Sequence, residues 1–137
     1  MRFLDTNIIL RYLTRDDETK AKACFELFQR LKAGSEQVFT SEAIITEVVY
    51  VLSSKRGPYR LAHEEIHSRL VPILTLRGLK LPQKHLYLRA LERYAASTFL
   101  DIEDAVAIAH MERQGAREIL SYDTDFDRVP NIKRVEP

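Results

Sequence analysis

MRFLDTN, residues 1 to 7, is the segment from which the rest of this chain can be interpreted. Its first four residues are mostly apolar, which predicts a short strand that runs straight into Asp5. Thr6 or Asn7 can then cap a helix that extends to about Leu13. In an open parallel sheet, ligands bind outside the carboxyl ends of the strands. Asp5 is therefore a candidate site residue.

Strands and helices alternate along the remainder of the chain. Further strands are predicted at QVFT (37–40), EILSY (118–122) and IKRV (132–135), a short extended piece at LKLP (79–82), and helices at about 17–33, 42–54, 60–76, 83–97 and 101–114. Short strands separated by helices pair in parallel through right-handed crossovers. The expected fold is α/β: one domain over residues 1–137, a three-layer α/β/α sandwich around a mostly parallel sheet of four to five short strands.

The composition is that of an ordinary globular protein, with 45% hydrophobic and 30% charged residues and a formal net charge of +1. No global positive field marks a nucleic-acid binder, so a polyanion would have to meet a local basic patch. No apolar run approaches the ~20 residues of a membrane span. A single cysteine, Cys24, suits a reducing compartment. We expect a cytoplasmic protein that does not enter a membrane.

HEEIH, residues 63 to 67, matches the H-E-x-x-H pattern of zinc peptidases. His63 and His67 share a helix face, and Glu64 could serve as a general base. A third ligand is missing, however, because residues 68–73 read SRLVPI instead of the extended zinc-binding continuation. We therefore expect both histidines on a solvated helix edge, with no part in catalysis.

Acidic residues follow two of the predicted strands directly. Asp5 follows RFL, and Asp123 and Asp125 follow EILSY. An aspartate after a strand can simply cap a turn or a helix, but the carboxyl ends of parallel strands meet at one edge of a sheet. The two strands are therefore predicted to bring their carboxylates to the same edge.

Two predicted helices add further acids. Glu47 lies at the margin of the apolar stripe of SEAIITEVVYVL, where an apolar residue would be equally expected. Asp101 and Asp104 stand in the first turn of the helix that begins at LDIEDA. N-capping accounts for Asp101. Asp104 is harder to explain in this way, since it shares a face with Ile108 and Met111 and should point inward.

Carboxylates that converge must either hold protons at raised pKa or be neutralised by a cation. Oxygen ligands without histidine or cysteine select hard cations such as Mg²⁺ or Mn²⁺ over zinc. A divalent ion held by carboxylates is the usual apparatus of phosphoester hydrolysis. The acids therefore indicate a metal-dependent phosphoesterase.

Four motifs in order, LDTN (4–7), TE (46–47), D-x-x-D-A (101–105) and SYDTDFD (121–127), resemble the PIN-domain family over essentially the whole chain. The nearest resemblance is to the stand-alone VapC-like toxins of toxin–antitoxin pairs. It implies a Mg²⁺- or Mn²⁺-dependent ribonuclease, a homodimer, an RNA substrate and a partner antitoxin.

The resemblance also implies roles for individual residues. Asp5, Glu47, Asp104 and Asp123 would form the catalytic acidic site and hold the metal. Thr6 and Ser121 would supply hydroxyls that orient carboxylates or waters, Asn7 would fix the first turn after Asp5, and Asp101 would lie at the rim. Asp123 and Asp125 could each be the fourth acid; Asp123 is favoured because it comes directly after the strand, with Asp125 in a supporting role.

The same pattern is compatible with a catalytically silent PIN-like module that binds RNA or protein. The presence of all four acids argues against it, since a silent relative would be free to lose them. Basic residues that could contact RNA are scattered: Lys55, Arg56, Arg60, Lys80 and Lys84. Such contacts would weaken with salt.

Overall fold

The computed structural model describes all residues 1–137. The chain forms six α-helices, five short strands and one 3₁₀ helix, and strands and helices alternate over most of its length. The strands are β1 (Arg2–Phe3), β2 (Val38–Phe39), β3 (Leu79–Lys80), β4 (Glu118–Leu120) and β5 (Lys133–Val135). The helices are α1 (Thr6–Thr14), α2 (Glu18–Ala33), α3 (Glu42–Ser53), α4 (His63–Leu74), α5 (Lys84–Ala96) and α6 (Ile102–Gln114), and the 3₁₀ helix is Thr124–Arg128.

Every strand pair is parallel, as the alternation of strands and helices predicts. β2 lies between β1 and β3, with Phe3 opposite Phe39 and Phe39 opposite Lys80. β4 pairs with β5. The α/β fold class is confirmed, but the strands form a three-stranded and a two-stranded sheet instead of one continuous sheet. On either side of β4, the Lys133 amide donates to the Arg117 carbonyl and the Ser121 amide donates to the Val135 carbonyl, so this segment bonds to β5. The edge of β1 away from β2 carries no strand.

The core lies between the three-stranded sheet and the helices. Leu4, Val38 and Leu79 are at most 2% exposed and pack with the buried faces of the helices. A smaller cluster of Leu100, Ile108, Phe126 and Val129 joins α6 to the 3₁₀ helix. This cluster fixes the segment that carries Asp101 and Asp104 to the segment that carries Asp123 and Asp125. None of the helices has both the length and the apolar character needed to cross a membrane.

Helix α1 begins one residue earlier than expected. The prediction that Thr6 or Asn7 caps it is wrong: Asp5 occupies the N-cap position, with φ −92° and ψ 162°, and Thr6 is already helical. The cause is the hydrogen bond from the Leu4 amide to the Phe39 carbonyl, at 2.8 Å, which keeps the chain extended up to Asp5. Asn7 therefore lies inside the first turn and is exposed.

Helix α4 is shorter than the predicted 60–76. Arg60 has a positive φ of 50°, and the Leu61 amide donates to the Leu52 carbonyl at 2.8 Å, so the segment after Pro58 folds back on α3 before a helix can start. Ala62 then serves as the N-cap residue of α4. The other helices end within a residue or two of their predicted limits, since Gly34 and Gly115 stop α2 and α6 in the left-handed conformation.

Candidate functional site

The end of β1 positions Asp5. Thr40, 2% exposed, donates its hydroxyl to the Leu4 carbonyl at 2.9 Å and so fixes the residue before Asp5 to β2. The Asp5 carboxylate is exposed and makes no capping hydrogen bond to α1, although it sits at the N-cap. It is therefore available to a ligand. Thr40 is a site residue that no sequence motif marks; its only signal is a polar residue directly after Val38 and Phe39.

Glu47 is held by its neighbour on α1. The buried Thr6 hydroxyl donates to the Glu47 Oε2 atom at 2.8 Å, across the contact between α1 and α3. Ile45, Val48 and Val49 anchor α3 in the core, which leaves Glu47 on its exposed side. The structure thus brings together Thr6, which follows Asp5 in the chain, and Glu47, which lies 41 residues further on.

The first turn of α6 carries the second group of acids. Asp101 is the N-cap residue, and its Oδ1 atom accepts a hydrogen bond from the Asp104 amide at 2.8 Å. Asp104 is half-buried. Burial, followed by the negative charges of Asp101 and Asp123, raises the pKa of Asp104 from 3.8 to about 6. Asp104 therefore lies within electrostatic reach of acids from two other positions in the chain.

Asp123 is fixed by a short chain of hydrogen bonds. Its amide donates to the Ser121 hydroxyl at 3.0 Å, and its Oδ1 atom accepts from the Asp125 amide at 2.9 Å, which caps the 3₁₀ helix. Asp125 is half-buried beside the buried Phe126. Of these two acids it is Asp123 whose charge acts on Asp104.

The four acids have no cationic partners. Ion pairs elsewhere in the chain engage other carboxylates, namely those of Glu36, Glu65, Glu92, Glu112, Asp127 and Glu136. None of these ion pairs includes Asp5, Glu47, Asp104 or Asp123. Unpaired carboxylates around a group with a raised pKa suit a bound cation, and their oxygen atoms suit Mg²⁺ or Mn²⁺.

The acids are not closed into a complete coordination shell. No three His, Cys, Asp or Glu side chains are grouped closely enough to hold a metal ion. The structure shows two parts instead, Asp5 with the Thr6–Glu47 pair and Asp104 with Asp101 and Asp123. Helix α3 contacts both α1 and α6, so the two parts are carried by packed helices. Mutual repulsion among the carboxylates opposes closer approach without a cation.

Replacing Asp104 by Asn should stabilise the metal-free protein at neutral pH. The raised pKa means that the folded state holds this proton more tightly than the unfolded chain, so the free energy of unfolding falls as pH rises from 3.8 to about 6. Above this range the folded wild type carries the full energetic cost of an ionised Asp104, and the variant, which has no charge at this position, does not. We expect a gain of about 1 kcal/mol near neutral pH, less than the whole shift implies because Asp104 is only half-buried.

Chemical denaturation in EDTA measures this gain, which should disappear below about pH 4, where the wild-type carboxyl is protonated in both states. Glu103→Gln is the matched control, since Glu103 is exposed in the same helical turn. It loses a similar interaction with the helix dipole and should show no gain. An equal gain in the free energy of unfolding in both variants would show that the raised pKa of Asp104 is not its cause.

His63 departs from the expected solvated helix edge, because it is half-buried and engaged on two sides. Its Nε2 atom donates to the Leu100 carbonyl at 2.7 Å, and its ring stacks on Tyr94 with 3.9 Å between ring centroids. A carbonyl oxygen only accepts, so Nε2 carries the proton. His63 thus holds Leu100, the residue before Asp101, whereas the sequence predicted that His63 would lie on a solvated helix edge. His67, also half-buried, makes no hydrogen bond through its side chain.

His63→Ala should lower the free energy of unfolding by about 2 kcal/mol, from the loss of one hydrogen bond and one aromatic contact. His67→Ala, on the same face of α4, should change it by less than about 0.5 kcal/mol. Urea denaturation of the two variants side by side measures the difference. Equal midpoints would show that the contacts of His63 with Leu100 and Tyr94 contribute nothing to stability.

Known proteins resemble this chain over its full length. The PIN domain matches residues 2–132. A VapC ribonuclease of Aquifex aeolicus (strain VF5) is 29% identical over 139 residues, covering 100% of this chain and 97% of the relative.

Two solved structures align at 20% and 18% identity, each with a TM-score of 0.37. The first is VapC20 of Mycobacterium tuberculosis, a toxin that cleaves the sarcin-ricin loop, with 100% of both chains covered. The second is VapBC2 of Rickettsia felis bound to a DNA fragment from its promoter, with 98% of this chain and 97% of that chain covered. The family match over residues 2–132 confirms the resemblance predicted from the four acidic motifs, and the chain belongs to the PIN domain family.

Proposed function

We propose that this protein is a metal-dependent endoribonuclease that hydrolyses RNA phosphodiester bonds, and that it is the toxin of a type II toxin–antitoxin pair. The observation that carries the proposal is the set of carboxylates without cationic partners after β1, on α3 and α6, and in the turn after β4. Membership of the PIN domain family and a relative named a VapC ribonuclease, matched over 97% of its length, support it.

Asp5, Glu47, Asp104 and Asp123 would hold Mg²⁺ or Mn²⁺. Such an ion, when bound, supplies a water of lowered pKa and stabilises negative charge on the phosphoryl oxygens. The remaining residues position these ligands. Thr6 fixes the Glu47 carboxylate by its hydrogen bond, and Asp101 caps the turn that presents Asp104. Ser121 holds the Asp123 amide, so that the carboxylate stays at the start of the 3₁₀ helix.

Removal of divalent metal should abolish RNA cleavage by the purified protein, and Mn²⁺ or Mg²⁺ should restore it. The measurement is gel electrophoresis of a labelled RNA after treatment of the protein with EDTA and stepwise addition of each metal. We expect activity to be lost by at least about a hundredfold without metal, since the ion stabilises the transition state by several kcal/mol. Cleavage that persists unchanged in EDTA would refute the mechanism and exclude a metal-dependent site.

A catalytically silent module that binds RNA or protein is the second candidate. It is favoured by the finding that no three acidic side chains are grouped closely enough to hold an ion. Calorimetric titration with Mn²⁺ separates the two candidates. An absence of binding at millimolar Mn²⁺, together with an absence of cleavage, would favour the silent module over the nuclease.

The toxin assignment carries further proposals: a cognate antitoxin as partner, a homodimer, and action on RNA in the cytoplasm. A neighbouring reading frame that encodes a DNA-binding domain with a disordered tail would identify the antitoxin. Light scattering on the purified chain measures its oligomeric state, and a monomer at all concentrations would refute the dimer.

A further inference from the structure

Two phenylalanines and a lysine form a row across the three-stranded sheet. Phe3 of β1 is opposite Phe39 of β2, and Phe39 is opposite Lys80 of β3, so all three side chains point to the same face. The rings of Phe3 and Phe39 meet edge to face, with 5.2 Å between their centroids and an angle of 78° between their planes. We call this pair the Phe3–Phe39 platform.

The platform is exposed, although the sheet that carries it is well packed on its other face. Phe3 is 48% exposed and Phe39 is 41% exposed, whereas Leu4, Val38 and Leu79 on the other face are at most 2% exposed. Met1, two residues before Phe3, is 74% exposed. The core is therefore complete without the two rings. Adjoining exposed aromatic side chains of this kind mark a binding surface.

The platform adjoins the acidic site. Asp5 is two residues after Phe3, and the chain between them is extended, so both side chains point to the same side about 6.6 Å apart along the strand. Lys80, at the other end of the row, is exposed and takes part in no ion pair. Lys84 lies near it, since its Nζ atom donates to the carbonyl of Leu79, the residue before Lys80, at 2.5 Å.

These groups match the parts of a single-stranded polynucleotide. An aromatic face stacks on a base, a lysine meets a phosphate, and the acids with their cation would meet the phosphate that reacts. A base within a duplex is already stacked on both sides and would have to leave its neighbours to reach the rings. A protein partner would also tolerate charged residues such as Asp5 and Lys80 around an apolar patch, and its binding is one outcome of the test below.

We propose that the Phe3–Phe39 platform is a base-stacking subsite for an unpaired nucleotide next to the phosphodiester that is cut, with Lys80 on a neighbouring phosphate. The inference rests on the proposed function, because it places the substrate of that same site. It assigns the selection of unpaired RNA to Phe3 and Phe39, on the exposed face of the sheet next to Asp5.

Replacement of both rings by leucine tests the subsite. Leucine keeps the apolar bulk but removes the stacking surface, so Phe3→Leu with Phe39→Leu should leave the fold intact. Binding is measured by fluorescence anisotropy in EDTA, so that no RNA is cut, with a labelled octauridine RNA and a duplex of the same length. We expect the affinity for single-stranded RNA to fall about tenfold and the affinity for duplex to be unchanged.

Phe25→Leu is the matched control. Phe25 is 43% exposed, similar to the platform residues, but it lies on α2 beside Arg15 and Lys22 and not on the sheet. Its replacement should leave binding of octauridine unchanged. Each measurement is repeated with an octauridine in which one nucleotide lacks its base. Loss of the base that stacks on the platform should weaken binding of the RNA to the wild type. The same loss should not change the affinity of the double leucine variant.

The outcomes separate this inference from the proposed function. If the wild type cuts RNA with Mn²⁺ and the double leucine variant binds octauridine as tightly as the wild type, the subsite is refuted and the nuclease stands. If the wild type neither binds nor cuts RNA, the nuclease is refuted and the subsite with it. If the double variant changes from dimer to monomer in light scattering while RNA binding is unaffected, the platform is a protein interface and the inference is refuted.

Lys80 provides an independent measurement. Lys80→Gln should weaken binding of octauridine and of an RNA without bases equally, since it acts on phosphate. The slope of the logarithm of affinity against the logarithm of salt concentration should fall by roughly one. An unchanged slope would remove Lys80 from the subsite.

Discussion

Asp5→Asn should lower the rate of metal-dependent RNA cleavage by a factor of about 10² to 10³, the loss expected when a group that stabilises the transition state by about 3–4 kcal/mol is removed. Asn is the closest neutral replacement, and it is as good an N-cap residue as Asp. The Asp5 carboxylate makes no capping hydrogen bond, so the change should not disturb α1. The loss would therefore report on the site and not on the fold. Single-turnover cleavage of a labelled RNA at saturating Mn²⁺ measures it.

Glu26→Gln is the matched control for this experiment, since Glu26 is exposed on α2. It should cleave RNA at the wild-type rate. Thermal unfolding of all three proteins checks that Asp5→Asn remains folded. Equal cleavage by wild type and Asp5→Asn would refute the assigned site, whatever the metal dependence of the reaction.

Asp123→Asn should lower cleavage by about a hundredfold, while Asp125→Asn should change it by no more than about threefold. The difference follows from the electrostatics, since the charge of Asp123 acts on Asp104. Asn at position 123 retains an oxygen that can accept from the Asp125 amide, so the cap of the 3₁₀ helix is preserved. The comparison therefore removes a charge from each position in turn with little change in local structure.

Cleavage rates at a series of Mn²⁺ concentrations distinguish the two residues. A metal ligand should raise the Mn²⁺ concentration needed for half-maximal activity, whereas a residue that only supports the turn should leave it unchanged. A larger loss for Asp125→Asn than for Asp123→Asn would exchange their roles. An equal loss for both would show that the turn acts as a unit.

The sequence predicted most of the fold because its local signals agree. Apolar runs of strand length, Asp17, Ser41 and Asp101 at helix starts, and Gly34 and Gly115 at helix ends gave helix and strand positions that the structure matches closely. The exceptions are places where long-range contacts override local preference. Hydrogen bonding of Leu4 to β2 moves the start of α1, and packing of Leu61 on α3 delays the start of α4.

The candidate acids and the family were also accessible from the sequence, since Asp5 and Asp123 follow predicted strands and Glu47 and Asp104 lie beside apolar positions of predicted helices. The tertiary contacts were not. That Thr6 donates to Glu47, that Asp123 acts on Asp104, and that His63 holds Leu100 depend on segments far apart in the chain. No periodicity or spacing encodes such pairs.

The sequence by itself determined the order and type of the elements, the acids proposed to hold a metal and the family, because these depend on local patterns and on which residue types are present. Only the tertiary structure decided which acids lie near one another, which remain without a cation, and that Phe3 and Phe39 are exposed beside Asp5. The physical reason is distance. Electrostatic and hydrogen-bonding energies depend on separations of a few ångströms, and the packing of helices on the sheet sets those separations.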